Sequence, residues 1–329
     1  MNNILSFTNQ YIISQENEIL NIAKNWTFEK INTFFQNHLI DSQIDQDVII
    51  PFTKDWSNIP DGHANILVRP NSEEQCAIIL KTCQVCKIPI TISAGRTNLT
   101  GSATPFGGIV LSIQNLIRPN INIDTTNLTV VAPVGIPLEL MRDEILKQSK
   151  HTLYYPVDPT SRHDAFVGGT LSCNASGFMP GEKGATRFWV EEIEFMLLNG
   201  YSIKIKRGEY ISHNGEFVLK CGDENIILSI PRYNRPNIKN ASGLYSSING
   251  EIDFIDLVIG SEGILGLITS AKFNLAKKPT SSLDLFIRLK NETSAIEFHH
   301  YLYKYLNSDM GKITALEYFG YNCQNYMKH

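Results

Sequence analysis

Residues 89–102 read P-I-T-I-S-A-G-R-T-N-L-T-G-S. In this stretch a short run of β-branched residues leads directly into a loop of small, turn-forming residues. Backbone amides in tight turns of this kind form a concavity that binds anions, and small side chains let a diphosphate approach closely. Arg96 would add a positive charge opposite the phosphates. The spacing fits neither the G-x-G-x-x-G dinucleotide fingerprint nor the Gly-Lys-Ser/Thr end of an NTPase phosphate loop. The loop therefore predicts a nucleotide site built on a different fold.

A strand–helix–strand unit precedes this loop. Residues 66–68 are apolar and predict a buried strand, and Asn71 or Ser72 is placed to cap a helix with an acidic first turn. Pro89 ends that helix, and residues 90–93 form the next strand. The apolar stripe of the helix consists of Cys76, Ile79, Leu80 and Cys83. The loop thus leaves the carboxyl end of a strand, where ligands of α/β sheets usually bind.

The rest of the chain predicts strands with different partners. Asn199-Gly200 lies between two strand-like runs and is the strongest short signal for a type I′ hairpin turn. Residues 1 to about 50 carry apolar residues at helical spacing. The further predicted strands are 109–113, 128–134, 190–197, 201–206 and 265–275, with a helix at 138–147. These patterns predict an α+β protein in which a parallel sheet is followed by a mixed or antiparallel one.

Two later segments are also rich in glycine and small residues. The second segment, Tyr155 to Gly177, reads Y-P-V-D-P-T-S-R-H-D-A-F-V-G-G-T-L-S-C-N-A-S-G. The third is Gly260-Ser261-Glu262-Gly263, followed by Leu265-Gly266-Leu267-Ile268-Thr269. Small side chains let a ligand lie against the backbone. Alone, the second segment is consistent with a tight turn and close helix–sheet packing, and the third with a helix-to-strand turn. Together with the loop, the two segments are far more specific.

The order and surroundings of these segments resemble the FAD-binding domain of the vanillyl-alcohol oxidase / p-cresol methylhydroxylase superfamily, and within it the D-lactate and glycolate dehydrogenase branch of D-2-hydroxy-acid oxidoreductases. The resemblance runs from about Ile66 to Pro279. Its motifs are R-P-N-S-E-E-Q (69–75), the 93–102 loop, P-V-D-P-T-S-R (156–162), V-G-G-T-L-S-C-N-A-S-G (167–177), G-A-T-R (184–187), K-N-A-S-G (239–243) and I-G-S-E-G-I-L-G-L-I-T (259–269).

The resemblance implies an α+β fold, namely a two-subdomain FAD-binding domain of the p-cresol methylhydroxylase type followed by the start of an α+β cap domain. Residues 1–55 are then an N-terminal helical segment, and 56–280 are the FAD-binding domain. Within that domain we expect a first α/β subdomain at 56–135 and a second α+β subdomain at 136–280. Residues 281–329 would begin a substrate-binding cap, apparently incomplete.

The resemblance also assigns cofactor-binding residues. The first loop would hold the FAD pyrophosphate, the second segment would line the flavin and the rest of the dinucleotide, and the third would close over the cofactor. Arg96, Asn98 and Ser102 replace the family's usual glycines; Asn98 suits a left-handed backbone, whereas Arg96 does not. The residues carried over are Ala94, Gly95, Arg96, Thr97, Asn98, Gly101, Ser102, Pro156, Asp158, Ser161, Gly168, Gly169, Asn174, Gly177, Thr186, Glu262, Gly263 and Ile268.

The activity that the resemblance implies is oxidation of a D-2-hydroxy acid by hydride transfer from C2 to flavin N5. The electron acceptor would be a quinone, an electron-transfer flavoprotein or oxygen. No catalytic base is assigned, because the base and the metal ligands of this branch come largely from the cap, and the branch's metal-binding histidine motif is absent from the sequence. The first loop contains no histidine, so we expect FAD to be bound non-covalently.

Two classes of function remain open at this point. The chain is either an oxidoreductase, truncated or completed by another polypeptide, or a flavin-binding module without independent catalysis. A reductase of the enolpyruvyl-sugar-nucleotide type is disfavoured by the Pro-x-Asp-Pro and Gly-Ser-Glu-Gly runs.

Composition limits the partners and the location. The chain has 329 residues, a net charge of −4 and 43% hydrophobic residues, which suits ordinary globular cores and argues against nucleic acid as a partner. No secretory signal or membrane-spanning run is visible, so we expect a cytoplasmic protein, with docking at a membrane surface left open. The six cysteines form no framework, and Cys83 and Cys86 have no second pair to complete a metal site. We therefore expect reduced thiols and no metal.

Overall fold

The N-terminal part of the chain consists of two short strands and three helices in the computed structural model, which describes residues 3–236, 238–241 and 243–326. Each helix begins at a polar side chain, Asn9, Thr27 or Asp45, that accepts a bond from a backbone amide of the first turn. The elements are β1 (Ile4–Phe7), α1 (Gln10–Ala23), α2 (Phe28–Asn37), β2 (Asp41–Gln43) and α3 (Gln46–Ile49). The predicted helices are confirmed, and the two strands were not predicted.

The first glycine-rich loop belongs to a four-stranded sheet. Its further elements are β3 (Ile66–Arg69), α4 (Glu73–Cys86), β4 (Ile90–Ser93) and β5 (Ile109–Ser112). The strand order is β2-β3-β5-β4, in which β3, β5 and β4 are parallel and β2 is antiparallel to β3. Ser72 caps α4 by accepting a bond from the Gln75 amide, and the predicted apolar stripe is buried. The predicted strand–helix–strand unit is thus confirmed, although α4 ends at the left-handed Lys87, before Pro89 is reached.

The second and third glycine segments belong to a five-stranded antiparallel sheet and its connections. The remaining elements are β6 (Asn122–Asp124), β7 (Thr129–Pro133), α5 (Leu138–Gln148), β8 (Leu153–Tyr154), α6 (Val167–Ser172), α7 (Thr186–Trp189), β9 (Val190–Met196), β10 (Ser202–Lys206), β11 (Glu216–Cys221), β12 (Glu224–Ser229), α8 (Phe254–Val258), β13 (Leu267–Asn274), β14 (Ala276–Lys277) and α9 (Glu292–Tyr305). The strand order is β10-β9-β13-β7-β6. A two-stranded sheet joins β14 to β8.

The chain passes from the four-stranded sheet to the five-stranded sheet before the subdomain division that we expected at residues 135 and 136. β6 and β7 precede that position, yet β7 pairs with β13 of the five-stranded sheet. By strand pairing, the change from one sheet to the other therefore falls between Ser112, the last residue of β5, and Asn122.

The hairpin between β9 and β10 differs from the prediction in its turn type. Gly200 has a φ of +81°, but Asn199 is not among the residues with positive φ, whereas a type I′ turn requires positive φ at both central positions. The Leu197 amide donates to the Tyr201 carbonyl, and the Asn199 side chain accepts from the Tyr201 amide. The hairpin is confirmed and its type I′ turn is wrong, because Asn199 acts through its side chain.

A three-stranded sheet joins the beginning of the chain to its middle. β1 pairs in parallel with β11, which pairs antiparallel with β12. Phe7 of β1 packs edge-to-face against Phe195 and Phe254, so this sheet is part of the main core. The segment after residue 280 packs far less: α9 has no buried residue, and Leu283, Leu285 and Phe286 are 79%, 68% and 92% exposed.

Candidate functional site

A cleft lies where the first glycine loop meets the second and third segments. Residues of all three segments line it, so the structure brings together parts of the chain that are far apart in sequence. The predicted cofactor-binding residues in its lining are Ala94, Gly95, Arg96, Thr97, Asn98, Ser102, Ser161, Gly168, Gly169, Glu262, Gly263 and Ile268.

Several residues that line this cleft have unpaired backbone amides. Within the described residues, the N–H groups of the run from Gly95 to Asn98 donate no hydrogen bond, and neither do those of Gly169 and Gly263. Buried or half-buried backbone donors are normally paired. A set of open donors drawn from three segments is the donor set that a phosphate-bearing ligand needs, because each phosphate oxygen accepts several hydrogen bonds. The residues present therefore fit a nucleotide diphosphate.

The first loop and the second segment approach each other through glycine. A Cβ atom at Gly95 would overlap the carbonyl oxygen of Asp164, so a larger residue would push the two segments apart. A Cβ at Gly169 would lie 3.2 Å from the Cβ of Ala94. These contacts explain why both segments are rich in small residues.

The third segment is held to the second by backbone hydrogen bonds. The Gly260 amide donates to the Leu171 carbonyl at 3.0 Å, and the Glu262 amide donates to the Ser172 carbonyl at 2.8 Å. Thr100 then joins the first loop to the third segment, because its hydroxyl donates to Oε1 of Glu262 at 2.8 Å. Glu262 itself has a φ of +53°. The three segments therefore form one connected wall.

The two unusual residues of the first loop act differently from what the sequence predicts. Asn98 is not among the residues with positive φ; instead its side-chain oxygen accepts from the Thr100 and Gly101 amides and closes the turn. Arg96 does have a positive φ, +57°, and its guanidinium group lies over the Phe52 ring at 4.5 Å. Burial lowers the pKa of Arg96. The left-handed interpretation of Asn98 is thus wrong, and of the three residues that replace the family's usual glycines only Arg96 has a left-handed backbone.

Six of the predicted site residues do not line the cleft: Gly101, Pro156, Asp158, Asn174, Gly177 and Thr186. Gly101 has a φ of +83°, and a Cβ atom there would overlap the side chain of Ile59. A larger residue at this position would therefore strain the loop. Asn174 is buried and its side chain accepts from the Arg187 amide at 2.9 Å. The Thr186 hydroxyl donates to the Ala175 carbonyl at 2.8 Å. These residues support the wall from outside.

The P-V-D-P-T-S-R run is fixed by an ion network. Arg142 of α5 donates to the carbonyls of Tyr155 and Val157 at 3.0 and 2.7 Å, and it lies 3.6 Å from a carboxylate oxygen of Asp158. Arg162 pairs with Asp158 at 2.7 Å and with Glu139 at 2.9 Å. Asp158 is therefore committed to the two arginines, and the network fixes the turn that carries Ser161 into the cleft.

Several residues of the cleft were not predicted from the sequence. They are Ile92, Ala103, Ile113, Ala165, Phe166, Thr170, Ser172, Cys173, Ala175, Gly266 and Leu267. Most of them lie inside the same three motifs, next to predicted residues. The run of small residues after Gly169 was the signal that could have identified Thr170, Ser172 and Ala175.

The titratable side chains in the lining are Arg96, Cys173 and Glu262. Burial, with Glu262 nearby, raises the pKa of Cys173 to about 11, so this thiol is neutral at pH 7. His151 and His163, which flank the second segment, are exposed and do not line the cleft.

The described residues hold no group of three or more side chains arranged for a metal ion. None of their helices is long and apolar enough to cross a membrane. In the K-N-A-S-G motif, Ser242 lies outside the described residues.

Comparison with known proteins agrees with this geometry. Residues 64–206 match the family described as FAD binding domain. The chain is 30% identical over 254 residues to the D-lactate dehydrogenase of Anaerostipes hadrus. The aligned region covers 77% of this chain and 44% of that protein. It is 27% identical over 239 residues to the D-2-hydroxyglutarate dehydrogenase of Xanthomonas citri pv. viticola, covering 72% and 42%. The chain thus spans less than half the length of these relatives.

Solved structures share the fold at low sequence identity. An alkyldihydroxyacetonephosphate synthase matches with a TM-score of 0.53 and 17% identity, covering 73% of this chain and 38% of the other. The BBE-like 1 protein of Physcomitrella patens matches with a TM-score of 0.53 and 11% identity, covering 76% and 44%. The predicted two-subdomain FAD-binding fold is confirmed. Residues 64–206 thus belong to the FAD binding domain family, and the expected similarity of the chain to the D-lactate/glycolate dehydrogenase-like branch of the vanillyl-alcohol oxidase / p-cresol methylhydroxylase superfamily is confirmed.

Proposed function

We propose that this chain binds FAD in the cleft and oxidises a D-2-hydroxy acid of the D-lactate or glycolate type. The observation that carries the FAD site is the set of unpaired amides at Gly95 to Asn98, Gly169 and Gly263, gathered in one cleft. The named activities of the relatives, D-lactate dehydrogenase, D-2-hydroxyglutarate dehydrogenase and glycolate oxidase subunit, support the substrate class.

The residues of the chain divide into two roles in this proposal. The open amides of the first loop, with Gly169, bind the pyrophosphate, and the small residues around them exclude side chains from the space it needs. Glu262, Gly263 and Ile268 cover the cofactor from the third segment. Gly101, Pro156, Asp158, Asn174, Gly177 and Thr186 hold these segments in place. Bound FAD would supply the hydride acceptor for the hydroxyl-bearing carbon of the substrate.

We further propose that the FAD is not covalently attached. The described lining of the cleft contains no histidine or tyrosine side chain, and its one thiol, Cys173, is kept neutral by burial. Heat or acid precipitation of the purified protein should release all of the flavin as unmodified FAD. Yellow colour that stays in the precipitate would show a covalent bond.

Anaerobic titration tests the activity. Protein reconstituted with FAD is mixed with D-lactate, D-2-hydroxyglutarate or glycolate, and the flavin absorbance near 450 nm is followed (a wavelength typical of oxidised flavins). We expect one of these acids to bleach the flavin. L-lactate is the matched control and should not bleach it. Protein that binds no FAD would refute the whole proposal, whereas FAD binding without bleaching by any acid would refute only the substrate class.

The second candidate is an FAD-binding module that depends on a partner for catalysis. It is favoured by the exposed apolar residues Leu283, Leu285 and Phe286 and by α9, which has no buried residue, so that residues 281–309 contain no buried side chain. In that case a polypeptide completing the cap would have to be added before bleaching is seen. The proposed function includes two further points. The electron acceptor would be a quinone, an electron-transfer flavoprotein or oxygen. The chain would divide into an N-terminal helical segment, an FAD-binding domain and the beginning of a cap domain.

A further inference from the structure

We propose that Asp55 is a positioning residue for the first loop: it holds the end of the loop at Ala103 so that the amides from Gly95 to Asn98 stay open for the diphosphate. This inference rests on the proposed binding of FAD in the cleft. Asp55 lies outside the region that matches the FAD binding domain family, which begins at residue 64.

The side chain of Asp55 connects the end of the loop to the segment before it. Its Oδ2 accepts a hydrogen bond from the Ala103 amide at 3.2 Å. Its Oδ1 accepts from the Ser57 amide at 3.0 Å and also from the Ser57 hydroxyl. Asp55 is only 7% exposed, and its bond to Ala103 is buried, whereas the bonds to Ser57 are partly buried. Both carboxylate oxygens are thus committed to neighbouring donors.

Residues 52–59, the segment that contains Asp55, also hold the beginning of the loop. The Trp56 amide donates to the Arg96 carbonyl at 3.2 Å. The guanidinium group of Arg96 lies over the ring of Phe52. Residues 52–59 therefore fix the loop near both ends, at Arg96 and at Ala103.

The pairing divides the loop into two sets of donors. The Ala103 amide is bound by Asp55, whereas the amides from Gly95 to Asn98 donate no bond among the described residues. Burial by itself would raise the pKa of Asp55, but the hydrogen bonds from Ser57 and Ala103, together with the Thr104 hydroxyl, lower it below the usual value, so the side chain is ionised at neutral pH. A fixed carboxylate bound to the Ala103 amide therefore pre-forms the loop, and pre-formed donors bind more tightly.

The test compares Asp55→Asn with Asp41→Asn. Asp41 is a matched control, because it is also paired through both oxygens, to Arg69 at 2.6 and 3.1 Å, but on β2 at the opposite edge of the same sheet. FAD affinity is measured by flavin fluorescence quenching on the full chain, apo-protein stability by thermal unfolding, and the ring environment by visible circular dichroism at saturating FAD. We expect Asp55→Asn to weaken FAD binding about tenfold or more, because an amide can replace only one of the two acceptors.

The expected pattern separates positioning from general damage. Asp41→Asn should lower the melting temperature of the apo-protein and leave FAD affinity within twofold of wild type. Asp55→Asn should weaken FAD binding while the circular dichroism of the saturated flavin ring stays unchanged. FAD affinity of Asp55→Asn within twofold of wild type, or an equal loss in Asp41→Asn, would overturn the inference. If wild type itself binds no FAD, the proposed function has failed instead.

A second variant covers the case in which Asp55→Asn does not fold. Ser57→Ala removes the hydroxyl that bonds to Asp55 but keeps the carboxylate and its bond to Ala103. We expect it to weaken FAD binding about three-fold. Unchanged affinity in a folded Ser57→Ala protein would count against the role of Asp55.

Discussion

The hydroxyl of Thr100 donates a hydrogen bond to Oε1 of Glu262 at 2.8 Å, although the two residues are 162 positions apart. Thr100 lies in the first glycine loop and Glu262 in the third segment, so this bond joins two sides of the cleft. Glu262 lines the cleft, so a ligand bound there would lie beside this bond. The bond should therefore affect how fast FAD leaves more than how stably the chain folds.

Thr100→Val tests this relationship. We expect the FAD dissociation rate to rise about three- to tenfold, which corresponds to the loss of one hydrogen bond of about 1 kcal/mol. Stopped-flow mixing of the FAD complex with a flavin trap measures the rate. Glu262→Gln and the double variant complete a mutant cycle, and we expect the effects to be non-additive because both changes remove one interaction. Additive effects would mean that the two side chains act separately.

Gly169→Val tests the close approach of backbone to ligand. A Cβ at this position would lie 3.2 Å from the Cβ of Ala94, and a branched side chain would fill the space between the first loop and α6. We expect FAD affinity to fall about 100-fold or more, or about 2.7 kcal/mol, by equilibrium titration. Gly320→Val is the control, because a Cβ there meets only the Tyr318 ring at 3.6 Å and beyond. Full FAD binding by Gly169→Val would show that the site is misplaced.

The pair of Asp41 and Arg69 gives a pH dependence. The hydrogen bond from Arg69 lowers the pKa of Asp41 below its usual value. A lowered carboxylate pKa contributes stability that is complete above the unfolded-state pKa, about 3.9 for Asp, and is lost as the pH falls through the folded-state value. We expect Asp41→Asn to reduce the unfolding free energy by about 1 kcal/mol at pH 7, since the pair is partly exposed.

Urea unfolding at a series of pH values checks this expectation. The difference between wild type and Asp41→Asn should stay constant from pH 7 to about pH 5 and shrink below about pH 4. Asp143→Asn serves as the reference for a charge change alone, because Asp143 forms no ion pair with any described residue. A difference that grows as the pH falls would contradict the assigned direction of the shift.

Arg142 should be costly to replace. It donates to two carbonyls and pairs with Glu139 and Asp158, so Arg142→Met leaves several acceptors without a donor. We expect the unfolding free energy to fall by about 2–3 kcal/mol, with weaker FAD binding because the turn carrying Ser161 loses its support. Lys147→Met, whose side chain is 77% exposed beside Glu144, should cost less than about 0.5 kcal/mol. Equal effects of the two substitutions would refute the role of Arg142.

The sequence predicted the parts of the fold that depend on local patterns. The strand–helix–strand unit around α4 followed from the cap at Ser72 and a helical apolar stripe, and both are present. The cleft followed from three motifs whose small residues let backbones approach. Each of these signals is contained within about 20 residues, so a local pattern is sufficient to find them.

The features that were missed depend on distant contacts or on how one side chain is used. β1 has four residues, and its partner strand starts more than 200 residues later, so its pattern carries no information about pairing. The bond from Ala103 to Asp55 joins residues 48 positions apart. Asn98 and Asn199 were expected to adopt left-handed backbones, but each instead accepts hydrogen bonds through its side chain, and residue type alone does not distinguish these two uses.

The parallel pairing of β1 with β11 sets an order of assembly during synthesis. Ile4 is opposite Val218, so the first strand leaves the ribosome long before its partner exists. Until then its apolar residues, Leu5 and Phe7, have no core to enter, although both are fully buried in the finished protein. An apolar strand that is unpaired during synthesis exposes surface that promotes aggregation, so we expect a chaperone to bind this strand until β11 has been made.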